Sequence, residues 1–144
     1  MQNPDSVAIE QAIVDRLAPL RDTGLIVHAL PEKPKEYGEL LDSTSKGILT
    51  LVCFDEKPTG RMGADRRIQV VNRTANIFGR VRGLRSEGDL LPLQNEIKAY
   101  LLGFMPPKCG AMRYGSGFEF LGRTDSDWEF KVGFTFPVMI RGRR

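Results

Sequence analysis

Residues 128–138, with the sequence WEFKVGFTFPV, are the stretch that decides the fold. Large apolar side chains occupy every second position of this stretch: Trp128, Phe130, Val132, Phe134, Phe136 and Val138. A period of two predicts a β-strand with one buried face. Such a face needs a second apolar surface to cover it.

The segment that precedes this strand supplies a matching helix, predicted at residues 90–102. Apolar residues recur there at steps of three and four: Leu90, Leu93, Ile97, Tyr100, Leu101 and Phe104. This spacing is typical of an amphipathic helix, and Pro92 is tolerated because it lies in the first turn. After a break at residues 103–107, a strand at 111–121 and a polar turn at 122–127 predict a hairpin with residues 128–138.

The first half of the chain predicts two helices, the second of them short, and three strands. Asn3 is the expected N-cap of a helix whose apolar stripe contains Ile9, Ile13 and Leu17, and which ends near Gly24. A strand at 25–30 and a short helix at 35–41 follow. Residues 47–54 are almost continuously apolar, which predicts an interior strand covered on both faces. Residues 55–67 predict a loop, and residues 68–81 predict a long strand with a bulge or a strong twist.

Together these elements predict an α/β (α+β) fold: a single-domain sandwich of residues 1–144, with a mainly antiparallel sheet packed against two main helices. A length of 144 residues, 41% of them hydrophobic and 27% charged, suits one domain. We expect a mobile loop at 55–67 and a frayed tail at 139–144.

Composition argues against a membrane or secreted protein. No apolar run approaches the roughly 20 residues that span a bilayer, and no signal peptide is recognisable, so we expect a cytoplasmic protein. The two cysteines, Cys53 and Cys109, are expected to be reduced thiols. The net charge of +3 permits a weak contact with a polyanion but does not identify a nucleic-acid-binding protein.

Residues suited to catalysis or metal binding are few. His28 lies between apolar neighbours in a predicted strand, which favours a structural role. Neither cysteine has a partner at zinc spacing. The cluster Asp125, Asp127 and Glu129 resembles the start of a calcium loop, but it lacks the later glycine and glutamate. We therefore expect no cofactor, no metal and no enzymatic activity.

Two short patterns superficially suggest RNA binding. Residues 131–136 resemble an RNA-recognition strand whose aromatic side chains stack on bases, but their alternation favours a buried core. Residues 60–63 match the G-x-x-G clamp of a KH module. That clamp joins two helices, whereas here it is predicted to join two strands.

The remaining candidates are basic residues in the predicted loop and tail: Lys57, Arg61, Arg66, Arg67, Arg141, Arg143 and Arg144. A loop rich in glycine and arginine, together with a basic tail, is suited to contact other proteins. A solvated loop and a frayed terminus explain the same residues equally well. Both interpretations remain open on this pattern alone.

The order of the elements, the segment AYLLGFMPP at residues 99–107 and the later Trp128 resemble the tail terminator family of Mu-like contractile-tailed bacteriophages and related prophage tails. The resemblance extends from the first helix to about Val138. It implies a small α/β protein, similar in fold to the terminator of lambda-like siphophages, without a cofactor or a catalytic residue.

Membership of this family implies a hexameric ring that caps the tail tube, stops its polymerisation and presents the surface for head joining. The implied partners are further copies of the chain, the tube protein, and sheath and head-completion proteins. The basic residues above are then candidates for the contact with the next subunit or the tube. The implied location is the host bacterial cytoplasm, and afterwards the virion or a phage-like tail particle. The alternative is a small nucleic-acid-binding α/β domain, followed by a small cytosolic enzyme.

Overall fold

The computed structural model describes residues 5–29, 47–63, 66–82, 90–124 and 127–143. Within these ranges the chain forms a mixed α/β fold with two α-helices, one 3₁₀ helix and a five-stranded sheet. In chain order the elements are α1 (Ser6–Leu17), the 3₁₀ helix (Ala18–Thr23), β1 (Leu25–Ala29), β2 (Gly47–Met62), β3 (Ile68–Arg82), α2 (Leu90–Leu101), β4 (Arg113–Thr124) and β5 (Asp127–Arg141). The short helix predicted at 35–41 lies outside the described residues.

The strand order in the sheet is β1-β2-β3-β5-β4. Only β1 and β2 are parallel, and the other three pairs are antiparallel. The prediction of a mainly antiparallel sheet is therefore confirmed, as is the final hairpin of β4 and β5. The strand predicted at 47–54 is interior, as expected, since β2 lies between β1 and β3.

Helix α1 begins at Ser6, two residues later than the sequence predicted. Asp5 is its N-cap, because its side chain accepts a hydrogen bond of 2.9 Å from the Val7 backbone N–H. Asn3, the predicted N-cap, lies outside the described residues. The predicted stripe is buried and includes Ile9, Ile13 and Leu17. After the 3₁₀ helix, Gly24 adopts a φ of 94°, a left-handed conformation that suits glycine and turns the chain into β1.

Helix α2 ends at Leu101, one residue earlier than predicted, and its residues Leu93, Ile97 and Leu101 are buried. Gly103 follows with a φ of 81°. Its N–H donates to the Met112 carbonyl at 2.9 Å, and the Met112 N–H donates to the Phe104 carbonyl at 2.8 Å. The break therefore directs the chain from α2 into β4.

One hydrophobic core joins both helices to one face of the sheet, which we call the core face. The even-numbered residues of β5 point into it, as the alternation predicted, and Phe134 and Phe136 are fully buried. Other buried members of this cluster are Ile9, Ile13, Leu17, Leu49, Leu51, Ala75, Ile77, Ile97, Leu101 and Val132. The other face of the sheet, the polar face, carries Asn72, Thr74 and Asn76 of β3 and their cross-strand neighbours.

The prediction of a loop at 55–67 is wrong for its first part. Strand β2 continues to Met62, and Asp55, Glu56 and Lys57 pair with residues of β3. Two register shifts interrupt this pairing, between Val52 and Asp55 and between Pro58 and Met62. The bulge predicted within residues 68–81 therefore lies in β2, whereas β3 pairs with β5 in unbroken register.

The predicted tail is also shorter than expected. Met139, Ile140 and Arg141 belong to β5 and pair with residues 68–70 of β3. Pro137 does not end the strand, because β4 starts opposite Thr135 and Pro137 lies beyond that end. Its carbonyl accepts a hydrogen bond of 2.8 Å from the Gly110 N–H.

Neither described helix is long and apolar enough to cross a membrane.

The close approach of Gly79 to Phe130 provides a test of the core. These residues are partners across β3 and β5, and a Cβ atom on Gly79 would lie 2.2 Å from the Phe130 ring. We expect Gly79→Ala to lower the free energy of unfolding by about 1–3 kcal/mol through overpacking. Urea denaturation measures the change.

Gly117→Ala is the matched control, because Gly117 also lies in a strand and a Cβ there meets nothing within 4 Å. We expect a change within about 0.5 kcal/mol for this variant. Equal effects of the two substitutions would contradict the role of the Phe130 ring.

Candidate functional site

One end of the sheet extends past its flanking strands. The pairing of β1 with β2 ends at Leu51, and the pairing of β4 with β5 ends at Thr135. Beyond these points β2, β3 and β5 continue as three strands, through residues 55–62, 68–74 and 135–141. We call this part the distal end. Two methionines, Met62 and Met139, are 58% and 46% exposed there.

The distal end brings together basic residues from the predicted loop and the predicted tail. The turn between β2 and β3 contains Arg66 and Arg67, and the Arg67 carbonyl accepts a hydrogen bond of 2.8 Å from the Gly142 N–H. Arg141 is the β5 partner of Ile68, the first residue of β3. The chain just after β5 therefore lies beside the turn, although the two segments are about 75 positions apart in sequence.

We call the basic group at this end the arginine cluster: Arg61, Arg66, Arg67, Arg141 and Arg143. Arg61, Arg66 and Arg143 are exposed, whereas Arg67 and Arg141 are partly buried. Arg144 lies outside the described residues. Lys57 lies further along β2, opposite Asn72, about four residues or 13 Å from Arg61.

A polar groove of about 590 Å³ lies on the polar face, between β2 on one side and β4 on the other. Its lining residues are Asp55, Glu56, Lys57, Asn72, Thr74, Asn76, Arg113, Tyr114, Gly115, Ser116, Lys131 and Thr135. Of the sequence-predicted basic residues, Lys57 alone lines it.

Side-chain hydrogen bonds organise this groove. Asn76, which is 6% exposed, donates from Nδ2 to Asp55 Oδ2 at 2.8 Å. Arg113 Nε donates to Thr135 Oγ1 at 3.3 Å, which orients the guanidinium group. Glu56 forms a salt bridge of 3.3 Å with Arg73, which lies on the core face and also donates to Ser6 Oγ of α1. The two contacts within the groove therefore join β2 to β3 and the edge strand β4 to β5.

The surroundings of the histidine and the two cysteines do not favour a catalytic role. His28 Nε2 lies 3.0 Å from Thr50 Oγ1, and burial lowers the pKa of the imidazole. Burial raises the pKa of the Cys53 thiol to about 12, and it also raises the pKa of Cys109, so neither thiolate is favoured. Within the described ranges, no group of three His, Cys, Asp or Glu residues is arranged to hold a metal ion.

The patterns that suggested RNA or calcium binding have structural explanations. Phe130, Phe134 and Phe136 are at most 4% exposed, which confirms that this aromatic run belongs to the core. Asp127 accepts a hydrogen bond of 2.9 Å from Arg80 Nε, within an ion pair between β5 and β3. The G-x-x-G pattern lies at the end of β2, where Gly60 has a φ of 77°.

No protein-family model matches the chain, and no curated protein is significantly similar to it. The candidate site is therefore described from the residues of this chain alone. The sequence pattern indicates the basic residues of the distal end but not the groove residues Asp55, Asn76, Arg113 and Lys131. The alternation of β5 placed Lys131 and Thr135 on the uncovered face. The partner strands of that face could not be inferred from the alternation.

His28 makes a pH dependence of stability testable, because it is the one histidine in the chain. Its pKa is lower in the folded protein than the value of about 6.5 for an exposed imidazole, so the unfolded chain binds the proton more tightly. Stability is fully present above a pH of about 6.5, and part of it is lost as the pH falls towards the folded pKa.

Urea denaturation between about pH 7.5 and 5.5 measures this loss. His28→Gln places an amide near the position of Nε2 and removes the titration, so the variant should show a flatter dependence on pH. An identical slope in the two proteins would contradict the assignment to His28.

Proposed function

We propose that this protein is a structural assembly protein of a contractile phage-type tail, and that it acts as the tail terminator. In this role six copies form a ring on the last ring of the tail tube, stop its polymerisation and offer a surface for head joining. The partners are the tube protein, and sheath and head-completion proteins. The protein acts in the host bacterial cytoplasm and then in the virion or a phage-like tail particle.

The observation that carries the proposal is the arginine cluster at the distal end. A ring of identical subunits needs two different complementary patches on each subunit, because its contacts are heterologous. A compact basic patch on a protruding three-stranded end is suited to one of these contacts. The order α-β-β-β-α-β-β of the described elements also agrees with the resemblance based on residues 99–107 and Trp128.

The proposal includes a single tail-terminator-like domain of residues 1–144. In this domain both helices cover the core face, and the sheet and helices form a two-layer sandwich. The shared hydrophobic cluster of α1, α2 and the sheet supports this arrangement. The polar face and the distal end are then the surfaces left for partners.

A small nucleic-acid-binding domain is the second candidate, and the arginine cluster also favours it. Arginine side chains neutralise phosphates without reading sequence. The aromatic residues of β5 do not support this candidate, because Phe130, Phe134 and Phe136 are buried and cannot stack on bases. Binding of nucleic acid through β5 would therefore depend on charge alone.

Electron microscopy of negatively stained protein, combined with mass determination at high protein concentration, separates the two candidates. Six-fold rings, or capped ends on tail tubes of the same particle, are the expected result. A salt-sensitive shift of an oligonucleotide, without rings and without capped tubes, would replace the proposal by the second candidate.

Charge reversal tests the role of the arginine cluster. Arg61→Glu, Arg66→Glu and Arg67→Glu in one variant should weaken association with tubes by at least about tenfold, since attraction to acidic groups becomes repulsion. The matched control reverses Lys98 on α2, Lys108 between α2 and β4, and Arg123 on β4. Co-sedimentation with tubes measures both variants. Capping that survives in the first variant would remove the cluster from the proposal.

A further inference from the structure

The polar groove and the arginine cluster lie along the same strands. The groove covers residues 72–76 of β3 and 131–135 of β5, and Arg141 and Arg143 lie at the end of that β5 strand and just beyond it. Lys57 stands between the two regions, because it lines the groove and precedes Arg61 on β2. From Thr135 to Arg141 the distance along the strand is about 20 Å.

The cationic side chains of the groove are more available to a ligand than its acidic side chains are. Of the two acidic residues that line it, Asp55 accepts a hydrogen bond from Asn76, and Glu56 is paired with Arg73 on the core face. The groove has three cationic side chains: Lys57, Arg113 and Lys131. In the described part of the chain, none of these three forms a salt bridge. A ligand with carboxylate groups would therefore complement the groove.

We propose that the polar groove binds an extended acidic segment of a partner protein, which continues along the polar face to the arginine cluster. Carboxylates of the segment contact Arg113 and Lys131 in the groove and Lys57 at its edge. A span of about 20 Å beyond the groove takes roughly six residues of extended chain. This inference rests on the proposed function where it implies that the partner is a tail protein.

A peptide fits these groups better than a nucleic acid does. Asp55 lies in the groove beside Asn76, and its carboxylate can accept an N–H of a peptide backbone, a donor that a phosphate backbone lacks. Thr74, Ser116 and Thr135 add hydroxyl groups that both donate and accept. Among the residues that line the groove, Tyr114 is the one aromatic residue. The groove therefore has no row of aromatic rings on which successive bases could stack.

A binding assay with defined probes tests the inference on the full chain. The probe is a fluorescein-labelled ten-residue peptide of alternating glutamate and serine, and the comparison peptide has glutamine in place of glutamate. A single-stranded oligonucleotide of ten deoxythymidines is the third ligand. Fluorescence anisotropy at low and physiological ionic strength gives the Kd of each. The glutamate peptide should bind at least tenfold more tightly than the glutamine peptide, and salt should weaken it.

The variant Arg113→Glu/Lys131→Glu should raise the Kd of the glutamate peptide by about tenfold or more. Its matched control is Lys108→Glu/Arg123→Glu, which makes the same change of charge on exposed residues outside the groove. The control should change the Kd by less than about threefold. Thermal melting of both variants identifies any loss of folding, and Arg113→Gln/Lys131→Gln replaces the first variant if it melts at a lower temperature.

Three results would overturn the inference: equal binding of the two peptides, equal weakening in the groove variant and its control, or tighter groove-dependent binding of the oligonucleotide than of the glutamate peptide. The groove inference and the proposed function can fail independently of each other. Protein that forms six-fold rings without binding the glutamate peptide contradicts the groove and leaves the terminator proposal in place. Protein that binds the peptide through the groove but forms no rings and caps no tubes contradicts the terminator proposal alone.

Discussion

The burial of one face of β5 is the constraint on which the rest of the structure depends. Its even-numbered side chains enter the core, and its backbone pairs with β3 along its whole length and with β4 along most of it. A shift of one residue would move Phe134 and Phe136 to the polar face, so the register of three strands is determined together. Strands β3 and β5 pack so closely at Gly79 that only a hydrogen in place of Cβ leaves room for the Phe130 ring.

The same constraint decides which surfaces are left for partners. Since both helices contribute to the core face, the polar face retains the side chains that β3, β4 and β5 turn the other way. The strands also differ in length, because β1 has 5 residues and β2 has 16. The long strands therefore extend past β1 and create the distal end. In this fold, the packing of the core therefore decides which side chains remain exposed to partners.

Local charge is more informative here than net charge. A formal charge of +3 is small for a chain with 21 Lys and Arg residues, and it does not indicate a class of partner. The fold collects five arginines at the distal end and three further cations around the groove. Such a distribution favours contact with acidic surfaces at one end of the molecule. The proposed assembly role depends on this distribution and on the family resemblance predicted from the sequence.

The sequence by itself determined the faces of the helices and of β5, because the alternation of apolar side chains is a local property that reflects burial. It also indicated the turn after Gly103 and the hairpin that follows. It did not reveal that residues 55–62 are a strand, because these residues pair through their backbone while most of their side chains remain exposed, which leaves no apolar pattern. Only the tertiary structure placed Arg141 and Gly142 beside Arg67 and brought Asp55 to Asn76. Such contacts between distant segments depend on strand order and register, which side-chain periodicity does not encode.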